Sequence, residues 1–299
     1  AKRARSAGMT WMLDFHFSDF WTDPSKQCIP KGWRGLGREG LDNMIRDHVS
    51  DTLCELGRHN LLPDFVQIGN EISNGMLWPI GKVCPETAGI PEFETLAMFL
   101  KTGIDAVRRL SPASKTIIHL DNGADSALFR SFFTLVFESK IDVDIIGTSY
   151  YPLWHGPVDS LRKNLRAVYD TFGKPVMVTE TSYPHTLQDI PYIPANHTGL
   201  VINKKTDTHA CSHPMTPEGQ KAFLKDVFEA VRDVPEYNGL GVYYWEPAWL
   251  PTPSGTWASP NARSYIGETH KGDGNEWANQ GLFDYGGNPL PALLDLDDL

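Results

Sequence analysis

Two glutamates stand at the ends of apolar, strand-like runs: Glu71 closes VQIGNE (66–71) and Glu180 closes VMVTE (176–180). A carboxylate at a strand end is inexpensive when solvated and costly when buried, so one alone reads as a surface residue or half of a structural ion pair. A second in an equivalent place, three strands further along, changes that reading, because two carboxylates on one rim can flank a single bond. Hydrolysis of a glycoside with retention needs a carboxylic acid to protonate the leaving oxygen and a carboxylate to attack the anomeric carbon, about 5–5.5 Å apart. Carboxyl groups can fill both roles, since environment holds one protonated while the other stays ionised. Asn70, adjacent to Glu71, is placed to bond a sugar hydroxyl, and the hydroxyl of Tyr150 to hold the nucleophilic carboxylate. Trp245 offers a flat apolar face for the C–H side of a pyranose, although taken singly it reads equally well as a core residue.

The elements that carry these groups follow from hydrophobic period. Apolar runs at 9–17, 65–69, 116–120, 145–150, 176–179 and 241–245 predict strands. Between them, Leu41, Ile45, Val49 and Leu53, then Leu96, Leu100 and Val107, then Leu128, Phe132 and Val136, then Leu161, Leu165 and Val168 recur at helical spacing. Gly173 is placed to close the last of these helices. Such alternation implies a parallel sheet covered by helices. No GxGxxG or GxxxxGK[ST] follows a strand, so a nucleotide-binding sheet lacks its usual signature. Polar or aromatic residues instead stand where the strands stop: Asp14 and His16, Asn70 and Glu71, His119 and Asp121, Tyr150 and Tyr151, Glu180, Trp245 and Glu246. In a (β/α)8 TIM barrel those ends form one catalytic face, and a single barrel domain spanning 1–299 is the expected architecture. Only six strands are countable, and AKRARSAG reads as a helix end closed by Gly8, so two βα units are expected upstream of Ala1.

Composition narrows the ligand. A net charge of −10 with 41% hydrophobic and 21% charged residues predicts a chain with a full core. It also argues against nucleic acid and anionic membrane surfaces, which call for clustered Lys and Arg. No apolar run of about 18 residues occurs. A neutral ligand fits better. The cysteines 28, 54, 84 and 211 form no CxxC pair, which gives zinc little support and leaves disulfide pairing open. Asn196-His197-Thr198 is a glycosylation sequon of consequence only in a secreted eukaryotic protein.

Six ordered motifs carry a specific resemblance: LDFHFSDFWTDPSKQCIPKGW (13–33), QIGNEISNGMLWPIG (67–81), IIHLDNG (117–123), GTSYYPLW (147–154), VTETSYP (178–184) and GVYYWEPAW (241–249). Asn-Glu after one strand and Glu after a later one resembles clan A of the glycoside hydrolases, and the finer pattern is similar to family 53, the endo-β-1,4-galactanases. The similarity runs through GLFDYGGNPLPAL (281–293). What it implies is a secreted, monomeric enzyme that cuts internal β-1,4 links in pectic galactan. Glu71 would be acid/base and Glu180 nucleophile; Asp14, His16, Asn70, Asp121, Tyr150, Trp245 and Trp249 would bind substrate. No cofactor is implied for the chemistry. Calcium, which some members hold in the loops after the last two strands, stays open, since 184–215 contains Asp189, Asn196, His197 and Asp207 but no D-x-D-x-H cluster. The clan's arginine from the second barrel strand would fall within the expected upstream units. Another clan A glycanase and a non-catalytic carbohydrate-binding barrel remain as alternatives.

Overall fold

Five short parallel strands are each followed in the chain by a helix with a buried apolar stripe. In the computed structural model, which describes residues 1–84, 87, 89–193, 199–252, 258–267 and 275–296, the chain divides into two units. One comprises Ala1–Asp121 with Ser126–Gly147, the other Asn122–Asp125 with Thr148–Leu299.

In the first unit, strands β1 (Met12–Phe15), β2 (Phe65–Ile68) and β3 (Lys115–Leu120) run parallel, with Met12 opposite Phe65 and Phe65 opposite Lys115. The first strand is shorter than its apolar run, because Phe17 takes a left-handed φ of 51° that ends the extended chain. Helix α1 (Arg38–Arg58) buries Leu41, Ile45, Val49 and Leu53, one per turn. Helix α2 (Ile90–Leu110) starts where the Glu92 carboxylate accepts the Gly89 N–H at 2.9 Å, and it lies close on β2 at Gly103. A Cβ at Gly103 would stand 2.8 Å from Ile68 Cγ2, so the strand that leads to Glu71 and its covering helix approach at hydrogen's expense only. Helix α3 (Ser126–Glu138) meets α2 through an edge-on Phe93–Phe132 contact.

Asp144 aligns the start of strand β4 (Ile145–Tyr150) with β3: its Oδ2 accepts from the Thr116 N–H at 2.7 Å and from Arg108 at 2.6 Å. Burial alone pushes this carboxyl up, but the Arg108 and Thr116 hydrogen bonds outweigh it and hold it below the ordinary range. The division between units falls within β4, after Gly147.

In the second unit, helix α4 (Val158–Phe172) ends at Gly173, left-handed at φ 62°, as its place predicts. Strands β5 (Val176–Thr181) and β6 (Gly239–Tyr244) pair in parallel, with Thr181 opposite Tyr244. Helix α5 (Pro217–Arg232), which the reading of apolar runs passed over, joins them. Its start is nonetheless legible: Thr216 accepts the Gly219 N–H, Pro217 follows, and Phe223, Leu224, Val227 and Val231 form the buried stripe. The short helix Lys2–Ser6 and left-handed Gly8 also match expectation. Among the described residues the parallel strands number six.

Candidate active site

The ends of the strands carry the polar groups, and the backbone there is strained. After β2, Gly69 at φ 84° turns the chain, and Glu71 itself adopts φ 49°, ψ 52° as it caps the 3-10 turn Ile72–Asn74. Phe17, Asn122 and Glu246, each two residues beyond β1, β3 and β6, are left-handed as well, at 51°, 55° and 50°. A side chain in that region costs on the order of 1–2 kcal/mol, and such costs concentrate where side-chain aim matters more than backbone comfort.

Within the first unit, Asn70 and Glu71 are both buried, at 4% and 8% exposure. The Asn70 amide donates to the Thr22 carbonyl at 2.8 Å, and its Oδ1 lies 3.0 Å from His119 Nδ1. Gln27 Nε2 donates to the Asn70 carbonyl at 2.9 Å, which fixes the main chain just before the glutamate. One N–H of the Asn70 amide remains beyond the Thr22 bond. His119 is fully buried, and that burial pushes its imidazole down to about 4, against the pull of Asp14; it is neutral at neutral pH. His16 Nδ1 accepts the Thr22 N–H at 2.9 Å, so its proton sits on Nε2, which lies 3.2 Å from Asp14 Oδ2. Asp14 Oδ1 is buried with no hydrogen-bond partner, an acceptor suited to a sugar hydroxyl. Asp121 accepts from the Ser73 hydroxyl, so the end of β3 is tied to the turn behind Glu71. Of the four residues expected of this unit to bind sugar, Asp14, His16 and Asn70 thus belong to one hydrogen-bonded chain with Thr22 and His119, while Asp121 is paired with Ser73.

Within the second unit, Glu180 stands one residue before the end of β5, partly exposed. Its Oε1 accepts the hydroxyl of Tyr151 at 2.5 Å. This corrects the role expected of Tyr150, whose hydroxyl donates instead to the Gly156 carbonyl at 2.7 Å and whose ring is wholly buried against Phe223. Successive strand residues point to opposite faces, and β4 is buried along its length, so its sequence does not reveal which of two adjacent tyrosines faces the carboxylate. Burial also drives the Tyr150 phenol far above its ordinary range.

Around Tyr151 stand two indoles that sequence reasoning missed. Trp154 and Trp277 stack at 6.2 Å with planes 19° apart, and each meets the Tyr151 ring edge-on. Trp154 is 52% exposed, a large apolar face left in water beside the residue that holds Glu180. The only advance signal was the position of Trp154 in GTSYYPLW. Trp245 is half-buried, and its main-chain N–H donates to the Thr181 carbonyl at 2.8 Å. Trp249 packs against the apolar cluster of Ile190, Ile193, Leu200 and Ala278. Glu246 is half-buried, and burial raises its carboxyl.

Of the residues weighed for calcium, Asn196 and His197 lie outside the described residues, as does the sequon they belong to. Asp207 accepts the His209 N–H at 3.0 Å in a local turn. All four cysteines are free thiols.

The family model for Glycosyl hydrolase family 53 matches residues 1–296. An endo-beta-1,4-galactanase of Bacillus subtilis (strain 168) is 33% identical over 309 residues, covering 98% of this chain and 68% of its own. An arabinogalactan endo-beta-1,4-galactanase of Cellvibrio japonicus (strain Ueda107) is 35% identical over 303 residues, covering 98% of this chain and 73% of its own. Among solved structures, the Ignisphaera aggregans GH53 catalytic domain superposes with a TM-score of 0.84 at 33% identity, covering 97% of this chain and 74% of that one.

Proposed function

The chain belongs to glycosyl hydrolase family 53, and from that premise we infer that it is a retaining endo-β-1,4-galactanase acting on pectic galactan. The observation that carries the residue assignment is the Tyr151 hydroxyl on Glu180 Oε1, at 2.5 Å. A phenol donated to one carboxylate oxygen fixes the plane of the group and favours its ionised form, which is what a nucleophile requires. Glu180 is accordingly the nucleophile and Glu71 the acid/base.

In the first step the Glu180 carboxylate forms a bond to the anomeric carbon while the bond from that carbon to the leaving oxygen breaks. The Glu71 carboxylic acid gives its proton to that oxygen. In the second, the Glu71 carboxylate takes a proton from water, the water oxygen bonds to the anomeric carbon, and the bond to Glu180 breaks. Acid, base and nucleophile are all supplied by side chains, so the chemistry as proposed calls on no cofactor. Asp14, with its unpaired buried oxygen, His16, Asn70 and Asp121 are assigned to sugar hydroxyls, and Trp245 and Trp249 to apolar sugar faces. The eight-stranded barrel belongs to the same reading, as do a monomeric state and action on polymer outside the cell; a neutral polysaccharide suits the net charge of −10.

The test is release of reducing ends from purified linear β-1,4-galactan, with the anomer of fresh product read by NMR. Initial β product supports double displacement; initial α product excludes it. Glu180→Gln should abolish turnover while galactan binding survives, a loss of transition-state rather than ground-state stabilisation. Binding without release by the unaltered chain would favour a non-catalytic barrel, and preference for a mannan or glucan another clan A glycanase.

A further inference from the structure

A phenol can hold Glu180 only if the ring that carries it is itself held. Tyr151 lies just past the end of β4, where no strand ladder fixes it, and it caps the one-turn helix Pro152–His155. His155 takes up both of its main-chain polar groups. The Tyr151 N–H donates to His155 Nδ1 at 3.1 Å, and the His155 N–H donates to the Tyr151 carbonyl at 2.8 Å. The imidazole also stands edge-on to the Tyr151 ring, with centroids 5.9 Å apart and planes at 68°, and touches the Tyr150 ring at 6.3 Å. A ring nitrogen that accepts an N–H is unprotonated, which places the His155 proton on Nε2. Burial agrees, pushing the imidazole down to about 4 against the opposing effect of a backbone hydrogen bond at Ser149.

We propose that His155 is a positioning residue for the hydrolysis, clamping Tyr151 by its main chain and its ring so that the phenol hydroxyl stays on Glu180 Oε1. The proposal rests on the galactanase reading above. His155 transfers no proton and touches no substrate in this account; its effect passes entirely through Tyr151. An alanine at 155 removes the acceptor from the Tyr151 N–H and opens space beside the ring. An asparagine keeps a side-chain acceptor near the position of Nδ1 and does not titrate.

The experiment compares His155→Ala, His155→Asn, Tyr151→Phe and the Tyr151→Phe/His155→Ala pair in the full chain, on linear β-1,4-galactan. His155→Ala should lower kcat about tenfold, the size of a weakened hydrogen bond to a charged group, with KM within about twofold of the original. His155→Asn should recover kcat to within about threefold, and in the Tyr151→Phe background His155→Ala should cost less than about twofold more, because its route of action is already gone. A full tenfold loss in that background, or a raised KM with unchanged kcat, overturns the proposal. The second arm needs no substrate: carbon NMR of carboxyl-labelled glutamate, with Glu180→Gln assigning the signal. In His155→Ala the Glu180 titration should move to higher pH, as it also should in Tyr151→Phe, and an unmoved titration overturns the clamp. If the unaltered chain releases nothing from galactan, the functional reading falls while this titration still decides the role of His155. Should the alanine variant fail to fold, the asparagine variant carries the test, and a kcat loss equal to that of Tyr151→Phe refutes an acceptor role.

Discussion

Replacing Tyr151 with phenylalanine deletes one oxygen atom, the donor that lies 2.5 Å from Glu180 Oε1. The ring is 6% exposed and wedged edge-on among Trp154, His155 and Trp277, so the phenyl group should keep its place. What is lost is a hydrogen bond to a charged acceptor, worth about 1.5–3 kcal/mol. If that bond orients the nucleophile in the transition state, kcat/KM falls by about 10- to 150-fold at about 1.4 kcal/mol per tenfold. Because the lost donor favoured the ionised carboxylate, the acid limb of the kcat/KM profile should also move to higher pH. The assay is initial-rate release of reducing ends from linear galactan across pH 4–8, a range of about four units chosen to span carboxyl and imidazole titration. The companion variant is Tyr150→Phe, whose hydroxyl serves the Gly156 carbonyl. It should lose about 1 kcal/mol of stability and far less activity than its neighbour. A loss under about threefold for Tyr151→Phe, or equal losses for the two tyrosines, would refute the assignment of Tyr151 as the residue that holds the nucleophile.

Three further outcomes are expected. Glu71→Ala should cripple galactan cleavage much more than hydrolysis of aryl galactosides with acidic phenols, and added azide should partly restore it; equal losses on both substrates without rescue would remove Glu71 from the acid/base role. Acid should destabilise the fold through His119, whose folded value of about 4 lies below the ordinary 6.5. The unfolded chain takes up the proton first as pH falls, so this stability is complete above about 6.5 and drains away towards about 4, by up to roughly 3 kcal/mol. Urea melts at several pH values should show that slope, and His119→Gln should flatten it; an unchanged slope counts against the histidine. Gly103→Ala should cost about 1–3 kcal/mol, since its Cβ would stand 2.8 Å from Ile68 Cγ2, and Ile68→Val should not restore it because Cγ2 is retained; a neutral thermal melt for Gly103→Ala would show that α2 can move off β2 freely.

Local pattern is enough to find the six parallel strands, four of the helices between them and the two carboxylates. Strand ends can be read from the point where an apolar run meets polar residues, and Glu71 and Glu180 both stand at such a point, since chain direction and period are properties of a few neighbouring residues. The helix closed by Gly173 and the left-handed Gly8 were legible for the same reason. The signals that open α5, Thr216 and Pro217, are equally local. What the tertiary structure decided was which side chains meet. Tyr150 and Tyr151 are alike in type and adjacent in sequence, yet Tyr150 packs on Phe223 and serves the Gly156 carbonyl while Tyr151 meets Glu180. Trp154 and Trp277 stack although more than a hundred residues separate them, and no periodicity links positions so distant. Asn70 is fixed by Thr22 and Gln27 from the segment after β1 and by His119 from β3, whose convergence depends on the parallel register of β1, β2 and β3. Position along a strand is set by the residues of that strand; the partner of a buried polar group is set by whichever distant segment the fold brings within about 3 Å, and a linear pattern carries no record of that distance.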